Sequence, residues 1–235
     1  METQTGSNDQ LKKNIFSIPD IVVKVIKNPA GFYREMARTG GFVEPLIFMV
    51  VMGVAGGIIR AVFGIFGLGL TGSFFLALAS IIIVPIMVAI FGFVAAGIIF
   101  IIWKILGSEQ SFETAYRCIA YAGAITPITA VLNIIPYIGV ILSLAWMTYL
   151  FVIASVEVHS IRSKTAWIVF GIIFIIFSIF SVSSQYAQRR FSTNIQGFKK
   201  GLEQNLGDLE KMSPEEKGKA MGEFLKGMQK AVDKK

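Results

Sequence analysis

Runs without a single charged side chain dominate the middle of the chain. Ala61 to Trp103 is one such run of 43 residues, Ile119 to Val156 a second of 38, and Thr165 to Gln188 a third of 24. A bilayer's hydrocarbon core is about 30 Å thick and takes about 20 helical residues to cross. The third run fits one crossing, and the first two are too long for one each. Breakers divide them: Gly64, Gly67, Gly69 and Gly72 in GIFGLGLTG, and Asn133-Ile-Ile-Pro136-Tyr-Ile-Gly139. The pattern predicts five helices, at 45–66, 74–103, 113–133, 137–157 and 165–185. The second would be about 45 Å long, so it must tilt, kink at Pro85 or project beyond the hydrocarbon.

Both flanks are amphipathic. Residues 15–27, IFSIPDIVVKVIK, and 28–38, NPAGFYREMAR, predict short helices. Asn28 is the expected cap, with Pro29 at the first helical position. Phe32, Tyr33 and Met36 then share one face. Two placements are open: at the headgroup boundary with Lys24, Lys27, Arg34 and Arg38 toward lipid phosphates, or packed on the loops of the bundle. In the tail, Ile195, Phe198, Leu202, Leu206 and Leu209 recur at helical spacing. Ser213-Pro214-Glu215-Glu216 signals a second start, followed by the stripe Met221, Phe224, Leu225, Met228 and Val232. The expected class is all-α: a polytopic integral membrane helical bundle with five transmembrane helices and amphipathic helices at both ends. Its parts are an arm (1–44), a membrane domain (45–185) and a basic tail (186–235).

Composition agrees: 54% of residues are hydrophobic, 16% are charged, and the mean hydropathy is +0.66. Soluble domains run about 45–50% apolar and about 25% charged. These numbers weigh against an ordinary soluble enzyme, a disulfide-built secreted domain and a disordered chain. Cys118 is the one cysteine, too few for a disulfide or a multi-cysteine metal site within the chain. No apolar block opens the sequence, so a cleaved signal peptide is not expected.

The net charge of +7 sits at the two ends. Residues 1–44 hold six basic and five acidic side chains, and residues 187–235 hold eleven and seven. Between them stand only Arg60, Lys104, Arg117, Arg162, Lys164, Glu109, Glu113 and Glu157. The mixed signs argue against nucleic acid, and the expected partner is a bilayer with anionic headgroups. Lys/Arg mark the arm and the loops after helices two and four, whereas the alternate loops carry no charge, which predicts a cytoplasmic N-terminus. Five crossings then place the tail on the opposite side.

No HExxH, GxGxxG, Walker loop, GxSxG or paired-aspartate motif occurs. Neither an enzymatic activity nor a cofactor or metal is expected. His159 is the single histidine; two residues from Glu157, it does not share a helical face with it. It is expected at an interface near the end of the fourth helix, and Cys118 as a packing residue. Arg60 stands inside the first helix, where a central arginine costs about 2.5–3.5 kcal/mol on the insertion scale. Either it snorkels to the headgroups or it faces the bundle, paired with Asn133, free carbonyls or an anion. Glu113, Tyr116, Arg117 and Tyr121 open the third helix. Glu113 and Arg117 have the favoured order for a helix pair, and Glu157 is a second partner for Arg117. Pro127, with Thr126 and Thr129, predicts a kink whose freed carbonyl is met by a hydroxyl. Gly53, Gly57 and Ala61, and Gly92 with Ala96, are small residues that allow close helix approach, within the chain or in an oligomer.

The segments NPAGFYREM, KILGSEQSFETAYRCIAYAGAITPI and IPYIGVILSLAWMTYLFVIASVEVHSIRSKTAW occur in an order that resembles the Yip (Ypt-interacting protein) domain family, over about 28–185. The resemblance implies a five-helix integral membrane protein with a cytoplasmic N-terminus. Eukaryotic relatives are associated with Rab-type GTPases and with Golgi and endoplasmic-reticulum traffic. Those relatives carry a long hydrophilic N-terminal region and an Asp-Leu-Tyr-Gly-Pro-type motif. Here a short arm carries NPAGFYREM, which weighs against GTPase binding and resembles prokaryotic members. The implied membrane is the inner (plasma) membrane for a prokaryotic protein and an endomembrane for a eukaryotic one. The functional expectation is a membrane-organising scaffold or trafficking-related factor, associating with itself or with other membrane proteins. The alternative is a transport protein with a polar path near Arg60 and Pro127.

Overall fold

The computed structural model describes residues 17–66 and 74–211, together with Glu215 and Gly222. Among them there are only helices and turns. Helix α1 covers 17–27 and α2 Pro29–Glu35. Asn28 caps α2, its side chain accepting the Gly31 N–H at 3.0 Å. Then follow α3 (Val43–Ile65), α4 (Phe74–Ile105), α5 (Phe112–Ala122), a 3-10 turn (Gly123–Ile125), α6 (Thr126–Leu132), α7 (Ile138–Glu157) and α8 (Ser163–Lys211). Five stretches are long and apolar enough to cross a membrane: Val43–Ile65, Leu78–Ile105, Phe112–Leu132, Ile138–Glu157 and Ser163–Ile195. These are the five expected, shifted by a few residues, except that the fifth continues well past 185.

Burial orders the spans in a way water would not. The α5–α6 span has the lowest mean hydropathy, 1.2, yet is 67% buried, while the α4 and α8 spans, at 2.8 and 2.5, are each 11% buried. When the solvent is oil, the most exposed helix must be the greasiest, and polar groups collect inside. Ile82, Ile86, Ile90 and Ile98 of α4 and Ile172, Ile175, Ile176 and Ile179 of α8 all face outward. The inner helix supplies Tyr116, Arg117, Cys118, Ala120, Tyr121 and Ile125 to the core.

Close packing of α3 on α4 uses the small residues. A Cβ on Gly53 would lie 2.7 Å from Pro85 Cα, and one on Gly57 2.7 Å from the Ser80 carbonyl oxygen. Ser80 Oγ donates to the Gly57 carbonyl at 3.1 Å. Met49 covers Gly92, and Ala61 and Ala96 are buried. These faces are therefore occupied within the chain.

Two sequence expectations need correction. The 113–133 helix is not continuous: a 3-10 turn separates α5 from α6, and Pro127 sits in the first turn of a new helix, where its missing N–H is not needed. The Thr129 hydroxyl donates to the Thr126 carbonyl at 3.0 Å. The last helix does not stop at 185, because no Gly or Pro interrupts 172–196.

The chain forms two units, 1–182 and 183–235. In the second, the described side chains of Tyr186, Arg189, Arg190 and Phe191 are exposed, with the Arg190 guanidinium 5.4 Å above the Tyr186 ring. The expected stripe at Phe198, Leu202, Leu206 and Leu209 lies outside the described side chains. The second start and its stripe to Val232 lie outside the described residues, apart from Glu215 and Gly222. Gly67, Gly69 and Gly72 lie outside them too.

Candidate functional site

The polar groups of unit one gather where the N-terminal arm meets the starts of α3, α5 and α8 and the ends of α4 and α7. Helix α5 is launched by Ser111, whose Oγ accepts the Thr114 N–H at 3.2 Å. Two turns in, Arg117 is 2% exposed. Its Nε donates to the Ala37 carbonyl at 2.7 Å, one terminal nitrogen to the Gly41 carbonyl at 3.1 Å, and the other to Glu44 Oε2 at 3.0 Å. The Tyr121 hydroxyl lies 3.5 Å away, and the Tyr121 ring faces the guanidinium at 5.8 Å. A buried guanidinium is tolerable only with its donors satisfied. Here two loop carbonyls and one carboxylate do so. The loop reaches it because Gly40 (φ 126°) and Gly41 (φ 83°) adopt left-handed backbone, which glycine enters without a Cβ penalty.

This corrects the expected pairing. Glu113 does not meet Arg117: its Oε1 accepts the Gly41 N–H at 2.6 Å. Glu157 is also not its partner, because it binds Arg34 through two 3.0 Å hydrogen bonds, Nε to Oε2 and Nη2 to Oε1. That pair raises the Arg34 pKa, chiefly through the hydrogen bond and the carboxylate's charge. Thr114 Oγ1 donates to the Arg38 carbonyl at 3.0 Å. Fully buried Tyr33 donates to the Cys118 carbonyl at 3.1 Å, and burial pushes its phenol well above the ordinary value. Of the two placements for the arm, the structure has it packed on the bundle through Ile18, Val25, Tyr33 and Met36, while Lys24, Lys27, Arg34 and Arg38 are exposed. Tyr116 and Tyr121 seat the contact with their rings, Tyr116 against Phe42 at 5.4 Å and Tyr121 against Phe32 at 5.3 Å.

A second cluster lies behind the first. His159 is not interfacial: it is buried, stacked on Trp103 with ring centroids 3.8 Å apart. Its Nδ1 is 2.7 Å from Ser108 Oγ, and its Nε2 is 3.9 Å from Cys118 Sγ. Trp103 Nε1 donates to Ser155 Oγ at 2.7 Å, and Ser155 donates to the Phe151 carbonyl at 2.6 Å. Burial, then the charges of Arg38 and Lys104, push the His159 imidazole down to about 3. It stays neutral at physiological pH, and through Ser108 it ties the α4–α5 loop to the α7–α8 turn. No group of three His, Cys, Asp or Glu among the described residues could hold a metal.

The remaining predicted residues stand apart. Asn133 accepts from the Ser143 hydroxyl at 3.3 Å, not from Arg60. Arg60 is exposed near the opposite end of α3 and makes no polar contact with another described residue. Pro127 is half-buried, and neighbouring Thr126 faces Gly56. Sequence reasoning missed Glu44, Trp103, Ser108 and Ser155. Glu44 had a signal: it is the last charge before the apolar run, three residues after the Gly40-Gly41 doublet. Trp103, Ser108 and Ser155 had none, because their partners lie about fifty residues away in the chain.

No curated protein and no solved structure matches the chain. The family model of the Yip1 domain matches residues 23–184. It thus covers the second half of the arm, the parts of the helices that form the polar clusters and nearly all of the bundle, and the chain belongs to the Yip1 domain family.

Proposed function

We propose that this protein is a non-enzymatic, membrane-organising scaffold of the Yip type, with its arm end on the cytoplasmic side. One observation carries the reading. The polar side chains of the innermost span, Glu113, Thr114 and Arg117, are directed to the arm and hold it on the bundle. A rigid end face with exposed Lys24, Lys27, Arg34 and Arg38 results, suited to anionic headgroups. The small-residue faces are filled within the chain, so association with another membrane protein or a second copy falls to the apolar flanks of α4 and α8. The Rab-type GTPase partner of eukaryotic relatives is not part of the proposal, given NPAGFYREM in the arm.

The test is photo-crosslinking in the native membrane from positions 24 and 27 of the arm and 86 and 175 on the flanks. The expected result is capture of a membrane protein or a second copy. Proteoliposomes should show no solute flux above empty vesicles. Flux that disappears in Arg60→Ala and Pro127→Ala would replace the scaffold with a transporter.

A further inference from the structure

Arg60 is the one charge between Glu44 and Lys104, and no carboxylate exists anywhere in residues 45–108. The loop 133–137 at the same end of the bundle is also uncharged. Both described acidic partners of arginine, Glu44 and Glu157, are at the arm end. Arg60 is five residues before the end of α3, about 8 Å inside it, and exposed. A cation there, at the edge of the hydrocarbon, has no acidic partner among the described residues, and an anion beside it would offset the cost of its charge.

An open apolar groove of about 470 Å³ lies along α4 beside α3, lined by Val50, Ile81, Ile82, Pro85, Ile86 and Ile90 among others. Its upper end is fixed by contact: a Cβ on Gly57 would lie 3.1 Å from Ile81 Cα. Arg60, three residues on, is about one turn beyond the groove's mouth. From Ile81 to Ile90 the groove extends about 14 Å, close to the ~15 Å depth of one leaflet's hydrocarbon. Cation and groove together match the two ends of a lipid molecule.

We propose that the α3–α4 flank binds an anionic phospholipid of the leaflet remote from the arm, its phosphate on Arg60 and one acyl chain in the groove. The site does not depend on the scaffold reading. Full-length protein in detergent micelles doped with phosphatidylglycerol or phosphatidylcholine is examined by native mass spectrometry, and retained lipids are counted. Wild type should hold one phosphatidylglycerol about fivefold more tightly than Arg60→Gln, with Arg60→Lys close to wild type. Ala89→Trp, which fills the groove and leaves Arg60 intact, should also lose the lipid. Millimolar inorganic phosphate should not displace it. Equal retention by wild type and Arg60→Gln overturns the site. Displacement by phosphate, with Ala89→Trp unaffected, overturns the lipid in favour of a free anion.

Discussion

Arg117 and Arg34 both fasten the arm, but in different solvents. Arg117 is 2% exposed and Arg34 is 67% exposed. Screening and side-chain entropy leave exposed pairs worth little. Arg117→Met strips the Ala37 and Gly41 carbonyls of their donor, while half-exposed Glu44 can rehydrate. A loss of about 2–3 kcal/mol follows. It should appear as a lower melting temperature in detergent and as protease cleavage within 36–42, with Arg34→Met close to wild type in both. His159 gives a pH signature. Its folded pKa is depressed to about 3, below the ordinary value of 6.5, so the unfolded chain binds the proton first. Stability is therefore fully present above about pH 6.5 and falls as the pH drops toward 3, by at most about 1.4 kcal/mol per unit. Melting curves from pH 7.5 to 4.5 should be flatter for His159→Asn than for wild type, whatever the variant's level at neutral pH. Parallel curves would show that the imidazole does not titrate between the two states. The i, i+4 rule named Glu113 for Arg117, because sequence spacing sees only neighbours. The actual partners come from Ala37, Gly41 and Glu44, across a loop whose path two glycines set.

The spans were legible because oil imposes a simple rule: a residue facing it carries no charge, so uninterrupted runs and their Gly, Asn and Pro breaks locate the crossings. What the rule does not report is where a helix changes type inside the protein. Gly123 to Ile125 are buried, so composition there answers to packing and not to lipid, and the 3-10 turn left no mark. Small residues were visible, but not which element they meet, and the structure separates tight from idle glycines. Gly53→Ala and Gly57→Ala push a methyl into the α4 backbone, whereas Gly97 and Gly171 have nothing within 4 Å. Overpacking costs about 1–3 kcal/mol, while replacing a helical glycine in open space gains about 0.5–1 kcal/mol. The first pair should lower the melting temperature and the second leave it level or raise it. Uniform behaviour of all four would mean that α3 and α4 are not held as closely as described.

For the whole molecule, the number of crossings decides which side each end occupies. Basic side chains in the arm, at Lys104 and at Arg162 and Lys164 fall on one side if each of the five spans crosses, and the loops around 67–73 and 134–136, without charge, fall on the other. Three independent segments thus agree on orientation. The tail, with its eleven Lys and Arg, would prefer the same side and is overruled only if the fifth span is a true crossing. Cysteine labelling resolves the conflict. Cys118 is buried, and Tyr33 uses only its backbone carbonyl, so Cys118→Ala provides a background that keeps the arm in place. Into it go Asp20→Cys and Glu215→Cys, both at exposed positions. A membrane-impermeant maleimide on sealed vesicles of known sidedness should label the two from opposite faces. Labelling from the same face would mean an even number of crossings. The span to give up would then be the one through Ser163–Ile195: only its first turns are held in the core, by Ala166 and by Phe170 against Trp103 and Phe151, and most of its residues from Ile172 to Phe180 are exposed, whereas the other four are joined by the contacts at Gly53, Gly56, Arg117 and Trp103.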